Sequence, residues 1–275
     1  MNTQRMNRSL LLLAGLLLSI SGSSRAALWT ELYVGIDGRD LVPSGTYAGL
    51  VEPNQGRLTL LFNHGNHYHP IGAYSYQGEF PDPLIVSSNT NNRIPETYTG
   101  DPPLPLAPGT GLYTGKLVTS NSDAEYHNLN LRSVDELSTA APGSEADILY
   151  RSSGERWTGS LAGTDLLLQL VSISDGLHVG SDTQLDLFDA GEHDVWRIGE
   201  GDSLDFTMSF WTEAGAAPGT YSVAMRLLDA NGLYNPSGTF NFDVAVAPVP
   251  LPASLMLLLC ALVPVLARRN GRHGR

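Results

Sequence analysis

Alternation of apolar and polar side chains, rather than a helical period, organises the chain between residues 27 and 247. Leu204, Phe206, Met208 and Phe210 alternate with Asp205, Thr207 and Ser209. After the turn residues Ala217-Pro218-Gly219, the set Tyr221, Val223, Met225 and Leu227 repeats the pattern. Phe240, Phe242, Val244 and Val246 do so again between Asn241, Asp243 and Ala245. Strand side chains point to opposite faces in turn, so a period of two with one apolar set predicts strands covering a core on one side. Further strands are predicted at 29–36, 58–62, 166–173 and 184–188, and helix only in short pieces such as 133–139. Strands bounded by Gly, Pro, Asn and Asp predict an all-β fold, one antiparallel β-sandwich or two. The Pro-rich stretch 77–108, with its run Asn89-Thr90-Asn91-Asn92, predicts a long ordered loop or a linker. Pro142-Gly143-Ser144 marks a soft boundary, leaving one domain and two equally open.

The two ends depart from this pattern. Arg5 and Arg8, the apolar run 10–20 and Ser24-Arg25-Ala26 read as a secretory signal over residues 1–26, cleaved between Ala26 and Ala27 by signal peptidase. The eleven residues of that run are too short for a helix across roughly 30 Å of hydrocarbon. At the other end, Val249-Pro250-Leu251-Pro252-Ala253 precedes the apolar run 255–267 and the basic residues Arg268, Arg269 and Arg272. Prolines stop the preceding strand, the run enters a bilayer, and the arginines hold the tail on the cytoplasmic side. A run of 13 residues containing Pro264 suits transient membrane insertion better than a permanent anchor.

That tail, residues 248–275, resembles the PEP-CTERM sorting signal in its Val-Pro-Leu-Pro form. The resemblance implies an exosortase-type processing enzyme as partner, and display on the surface of a Gram-negative bacterium. It covers about a tenth of the chain and speaks of location, not activity.

Charge and cysteine content narrow the chemistry. The formal net charge is −12, but seven of the 15 arginines lie in the two ends. Between residues 27 and 267 there are 28 acids and nine bases, a net of −19. Each phosphate contact needs a cation, so such a body is a poor nucleic-acid binder and a better partner for metal cations. The one cysteine, Cys260, lies in the tail. That excludes a disulfide framework and a cysteine-rich zinc or iron–sulfur site.

Histidine is where the candidate chemistry concentrates. His64-Gly65-Asn66-His67-Tyr68-His69 places three in six residues, directly after the predicted strand 58–62. On an extended chain His67 and His69 share a face, about 7 Å apart at Cα, and both imidazoles can converge on one zinc ion. The turn Asn63–Asn66 can fold His64 back towards the same ion. His127, His178 or His193 could complete the set across the fold, with Glu125, Asp175, Glu192 and Asp194 as flanking carboxylates. Any one of these, taken alone, is more often a hydrogen-bonding residue than a ligand. The cluster on an acidic, exported chain without body cysteines weighs towards zinc.

A second resemblance follows from Asn63-His64-Gly65-Asn66-His67-Tyr68-His69-Pro70-Ile71-Gly72, with Asn92-Arg93-Ile94-Pro95-Glu96 downstream. It is similar to an exported PEP-CTERM family under the zinc-uptake repressor Zur, which implies expression in zinc starvation and a link to a metal uptake system. His178, His193-Asp194-Val195-Trp196 and Gly219-Thr220-Tyr221 resemble, more distantly, a surface domain found beside metal transporters.

Catalytic signatures are missing. The chain has neither Gly-x-Ser-x-Gly nor His-Glu-x-x-His. Asp229-Ala230-Asn231-Gly232 matches part of a calcium loop but reads as a hairpin turn. The expectation is therefore a non-enzymatic, surface-displayed zinc-binding protein for zinc acquisition. One alternative is a matrix or carbohydrate-contacting protein, with Trp157, Trp196 and Trp211 lining a groove. The other is a zinc hydrolase, with a carboxylate poised beside a metal-bound water.

Overall fold

A computed structural model describes residues 31–120, 122, 124–189 and 191–248. The secretory signal, its cleavage point and the sorting motif from Val249 onwards lie outside the described residues. Among the described residues, no helix is long and apolar enough to cross a membrane.

Fifteen strands account for most of the regular structure, as the period-two patterns require. They are β1 (Leu32–Ile36), β2 (Leu58–Asn63), β3 (Tyr68–Pro70), β4 (Ser75–Gln77), β5 (Leu84–Val86), β6 (Arg93–Ile94), β7 (Leu104–Pro108) and β8 (Lys116–Thr119). There follow β9 (Asn130–Ser133), β10 (Asp165–Ile173), β11 (His178–Ser181), β12 (Val195–Glu200), β13 (Asp205–Glu213), β14 (Gly219–Asp229) and β15 (Phe240–Val246). In β15, Phe240, Phe242, Val244 and Val246 are buried and the residues between them are half-buried, which is the alternation written in the sequence.

Thirteen strands form one sheet with the path β12-β10-β14-β15-β7-β8-β13-β9-β1-β2-β3; β11 adds to β13 and β6 to β15. β4 and β5 pair separately. β2 and β14, far apart along that path, also come into contact. The all-β class holds, but the purely antiparallel pairing does not: β1 runs parallel to β9, and β15 runs parallel to both β6 and β7. A side-chain period of two is the same in either direction. Parallel pairing instead needs a long connection, and β6 and β7 lie some 130 residues ahead of β15 in the chain.

One local expectation fails and two are made specific. Residues 184–188 are not a strand. The Ser181 hydroxyl accepts from the Thr183 and Gln184 amides (3.2 and 3.0 Å), and the Leu185 carbonyl is taken by the Trp211 indole N–H (2.7 Å). Local side-chain bonds and an indole thus outcompete a ladder. The piece 133–139 is a short 3₁₀ turn, Val134–Leu137, capped by Ser133. The stretch 77–108 is an ordered loop containing β5, β6 and β7, pinned by buried Asn92, whose amide donates to the carbonyls of Ala73 (2.8 Å) and Thr239 (2.9 Å).

One apolar core gathers Phe62, Phe210, Phe240 and Phe242 from the sheet together with Leu137, Leu149, Trp157 and Leu161. Residues on both sides of 142–144 therefore share it. Helix α1 (Glu145–Tyr150), capped by the Ser144 hydroxyl on the Asp147 amide, begins at that boundary and buries Leu149.

Candidate metal centre

The histidine-rich hexapeptide is the β2–β3 hairpin. Phe62 faces His69 and Asn63 faces Tyr68 across the ladder. The connection closes with the His64 amide donating to the His67 carbonyl (3.0 Å), and the Asn63 side chain accepts from the Gly65 amide (2.7 Å). Gly65 sits at φ +89°, a left-handed position where a Cβ is costly. The hairpin folds His64 back over the same face as His67 and His69. Ring centroids are 4.1 Å apart for His64 and His69, and 4.9 Å for His67 and His69. Tyr68 points the other way and is buried against Tyr33.

Facing the hairpin is Glu96, two residues beyond β6 and 3% exposed. Strand β6 is held against β15 by the pairs Asn241–Arg93 and Phe242–Ile94, and by the Arg93–Asp243 ion pair. That anchorage fixes where Glu96 emerges. Its Oε2 lies 2.7 Å from His64 Nε2, and its Oε1 lies 2.7 Å from His69 Nδ1. The hydroxyls of Tyr98 and Tyr126 both donate to Oε2 at 3.3 Å. The Tyr98 hydroxyl also stands 3.3 Å from His64 Nε2 and 3.2 Å from His69 Nδ1. Burial, reinforced by the charge of Glu96, pushes the Tyr98 and Tyr126 hydroxyls above the usual phenol range, so both remain donors.

Among the described residues, His64, His69 and Glu96 form a group whose ligand atoms all lie within 4.8 Å of one another. His67 stands beside it. Its Nε2 is 3.1 Å from His69 Nε2, and its Nδ1 is 2.7 Å from Asn66 Oδ1. Desolvation, then the neighbouring His69 and His64, lower the His67 pKa from the ordinary imidazole value, with Glu96 opposing.

The roles of the three imidazoles depend on their tautomers, and the contact of His67 Nε2 with His69 Nε2 requires one of the two rings to carry its proton there.

The remaining candidates lie elsewhere. His127 Nδ1 is held by the Glu125 carbonyl (2.8 Å) in the loop before β9. His178, on β11, stacks on Trp211 at 4.0 Å and pairs with Asp186 at 3.0 Å. His193 occupies a left-handed turn position, φ +73°, ahead of β12. These three do not join His64, His67 and His69, because β9, β11 and β12 fix them elsewhere in the fold, each with local bonds. Trp157 and Trp211 are buried, 1% and 2% exposed, whereas half-buried Trp196 lines a second pocket with Ser181, Thr183, Arg197 and Phe206.

Glu96, Tyr98 and Tyr126 were not among the candidate residues that sequence reasoning selects. One signal was available: Glu96 is the only acid between Asp82 and Asp101. A single carboxylate in an acid-poor segment of an acidic protein differs from a solvated charge run.

No family model, no curated protein and no solved structure matches the chain, so the geometry of this centre is what bears on its role.

Proposed function

We propose that the protein is an exported, surface-displayed zinc-binding protein that captures zinc through His64 Nε2, His69 Nδ1 and a Glu96 oxygen, with His67 holding His69 from behind. The observation that supports this most is the buried Glu96 carboxylate gripped by two imidazoles at 2.7 Å each. Two imidazoles and one carboxylate form a ligand set that suits zinc, and the Tyr98 hydroxyl, 3.3 Å from His64 Nε2, 3.2 Å from His69 Nδ1 and 3.3 Å from Glu96 Oε2, stands where a fourth ligand would. Ligands at 2.0–2.1 Å around a tetrahedral ion stand roughly 3.3–3.4 Å from one another. Each 2.7 Å contact therefore has to open by about 0.6 Å, and the wider separations in the group, none above 4.8 Å, have to close for the three atoms to share one ion.

His67 then changes role from the reading on sequence alone. It accepts the His69 Nε2–H and passes its own Nδ1–H to Asn66, the kind of outer partner that fixes the orientation of a ligating imidazole. Its depressed pKa keeps it neutral and able to accept. The resemblance of the C-terminal tail to a sorting signal supports surface display, and the resemblance of the hairpin segment to a zinc-repressed family supports a role under zinc limitation. An acidic body favours the local accumulation of divalent cations.

Cobalt(II) substitution tests the ligand set. A tetrahedral or five-coordinate cobalt spectrum should develop to one equivalent, vanish on zinc addition, and be absent in His69→Ala. A spectrum of free aqueous cobalt throughout would reject the site.

A further inference from the structure

Two phenols meet Glu96, and they differ in freedom. Tyr126 is 2% exposed, and its ring stacks on Phe62 at 4.7 Å between centres. Tyr98 is 60% exposed, and its ring lies 5.7 Å from that of His69. It belongs to the turn that starts at Glu96, closed by the Thr99 amide and hydroxyl on the Glu96 carbonyl (3.3 and 2.9 Å). One turn, placed by the pairing of β6 with β15, therefore presents both Glu96 and Tyr98 to the hairpin.

The Tyr98 oxygen stands at the vertex of a tetrahedron. Four ligands at 2.0–2.1 Å around a tetrahedral zinc are roughly 3.3–3.4 Å from one another. Tyr98 Oη lies 3.3 Å from His64 Nε2, 3.2 Å from His69 Nδ1 and 3.3 Å from Glu96 Oε2. All three separations already match tetrahedral edges. A hydrogen bond to the carboxylate accounts for one of them, and leaves the near-equal distances to two imidazoles unexplained.

We propose that Tyr98 is the fourth zinc ligand and that it closes the centre against water and small solutes. The proposal rests on the zinc reading. As the ion enters, the zinc–oxygen bond forms, the phenolic O–H bond breaks and the proton leaves to solvent. The ion supplies the positive charge that favours this, because a bound dication inverts the effect that Glu96 alone has on its neighbours. Carboxylate and phenolate then balance the two charges of the ion. Four protein ligands make a site that holds metal, whereas a catalytic zinc centre keeps a water in the fourth position. Exposed Tyr98 is also the ligand free to leave. With His69 and Glu96 it lines a cavity of about 470 Å3, and its rotation would open the ion to that cavity.

Ultraviolet difference spectroscopy tests this during zinc titration of the purified full chain, beside Tyr98→Phe and Tyr126→Phe. One tyrosinate per bound zinc should form in the parent protein and in Tyr126→Phe. None should form in Tyr98→Phe, whether that variant holds zinc more weakly or not at all. In the cobalt(II) form, imidazole should leave the parent's spectrum unchanged and shift that of cobalt-loaded Tyr98→Phe, where the phenol no longer fills the position. Zinc held by the parent without a tyrosinate signal would overturn this inference and leave the zinc reading standing. A tyrosinate signal that survives in Tyr98→Phe, or an imidazole shift as large in the parent, would do the same. A parent that binds neither zinc nor cobalt would sink both.

Discussion

Glu96 faces the hairpin and joins His64 to His69, with each imidazole 2.7 Å from one of its oxygens. It matters because it is buried and accepts from two imidazoles and two phenols. Removing its charge should weaken zinc binding by between about tenfold and a hundredfold. Glu96→Gln, titrated with zinc against a chromophoric competitor, gives that number, and the same assay should find His127→Ala and His178→Ala unchanged. His67→Ala should fall about tenfold, a milder loss than His64→Ala or His69→Ala, because His67 orients a ligand rather than being one. The pH dependence has a definite sign. A histidine whose folded pKa is lowered adds nothing to stability above the ordinary value near 6.5. Its proton favours the unfolded chain as pH falls through that value. A metal ligand binds in its deprotonated form, so zinc affinity should fall on acidification, as dialysis across a pH series would record.

The hairpin and the short strand β6 are the elements that convert those residues into a site. Strands β10, β13, β14 and β15 were legible because each turns one apolar face inward over seven or more residues. β6 was not, because two residues have no period to read. Its placement comes from pairing with β15 and from the Arg93–Asp243 ion pair, contacts separated by some 150 residues. Strand direction was equally hidden, and the parallel pairs of β15 with β6 and β7 are what bring Glu96 opposite β2–β3. The β2–β3 turn depends on Gly65, where an added Cβ meets no other atom within 4 Å. The cost of Gly65→Ala is thus conformational alone, about 1 kcal/mol. Thermal unfolding should show a modest drop in Tm. Zinc affinity should drop with it, since His64 and His67 flank the turn.

Over the whole molecule, the core and the charge distribution set the conditions in which the centre works. Phe242 sits fully buried, 5.0 Å from Phe210 and 6.1 Å from Phe240 between ring centres, and its neighbour Asp243 ties β15 to Arg93. Phe242→Ala should cost about 3–5 kcal/mol in denaturant unfolding and loosen β6 along with it. The acidic body was plain from composition, and it implies that zinc uptake slows as salt rises, while the affinity of the half-buried centre changes less. Metal analysis of the purified protein beside His64→Ala/His69→Ala, with circular dichroism to verify folding, asks whether the hairpin and Glu96 hold a zinc ion. We predict close to one zinc per chain in the parent protein and none above background in the folded variant; a parent without zinc, or a variant that keeps it, would show that the hairpin holds no zinc site.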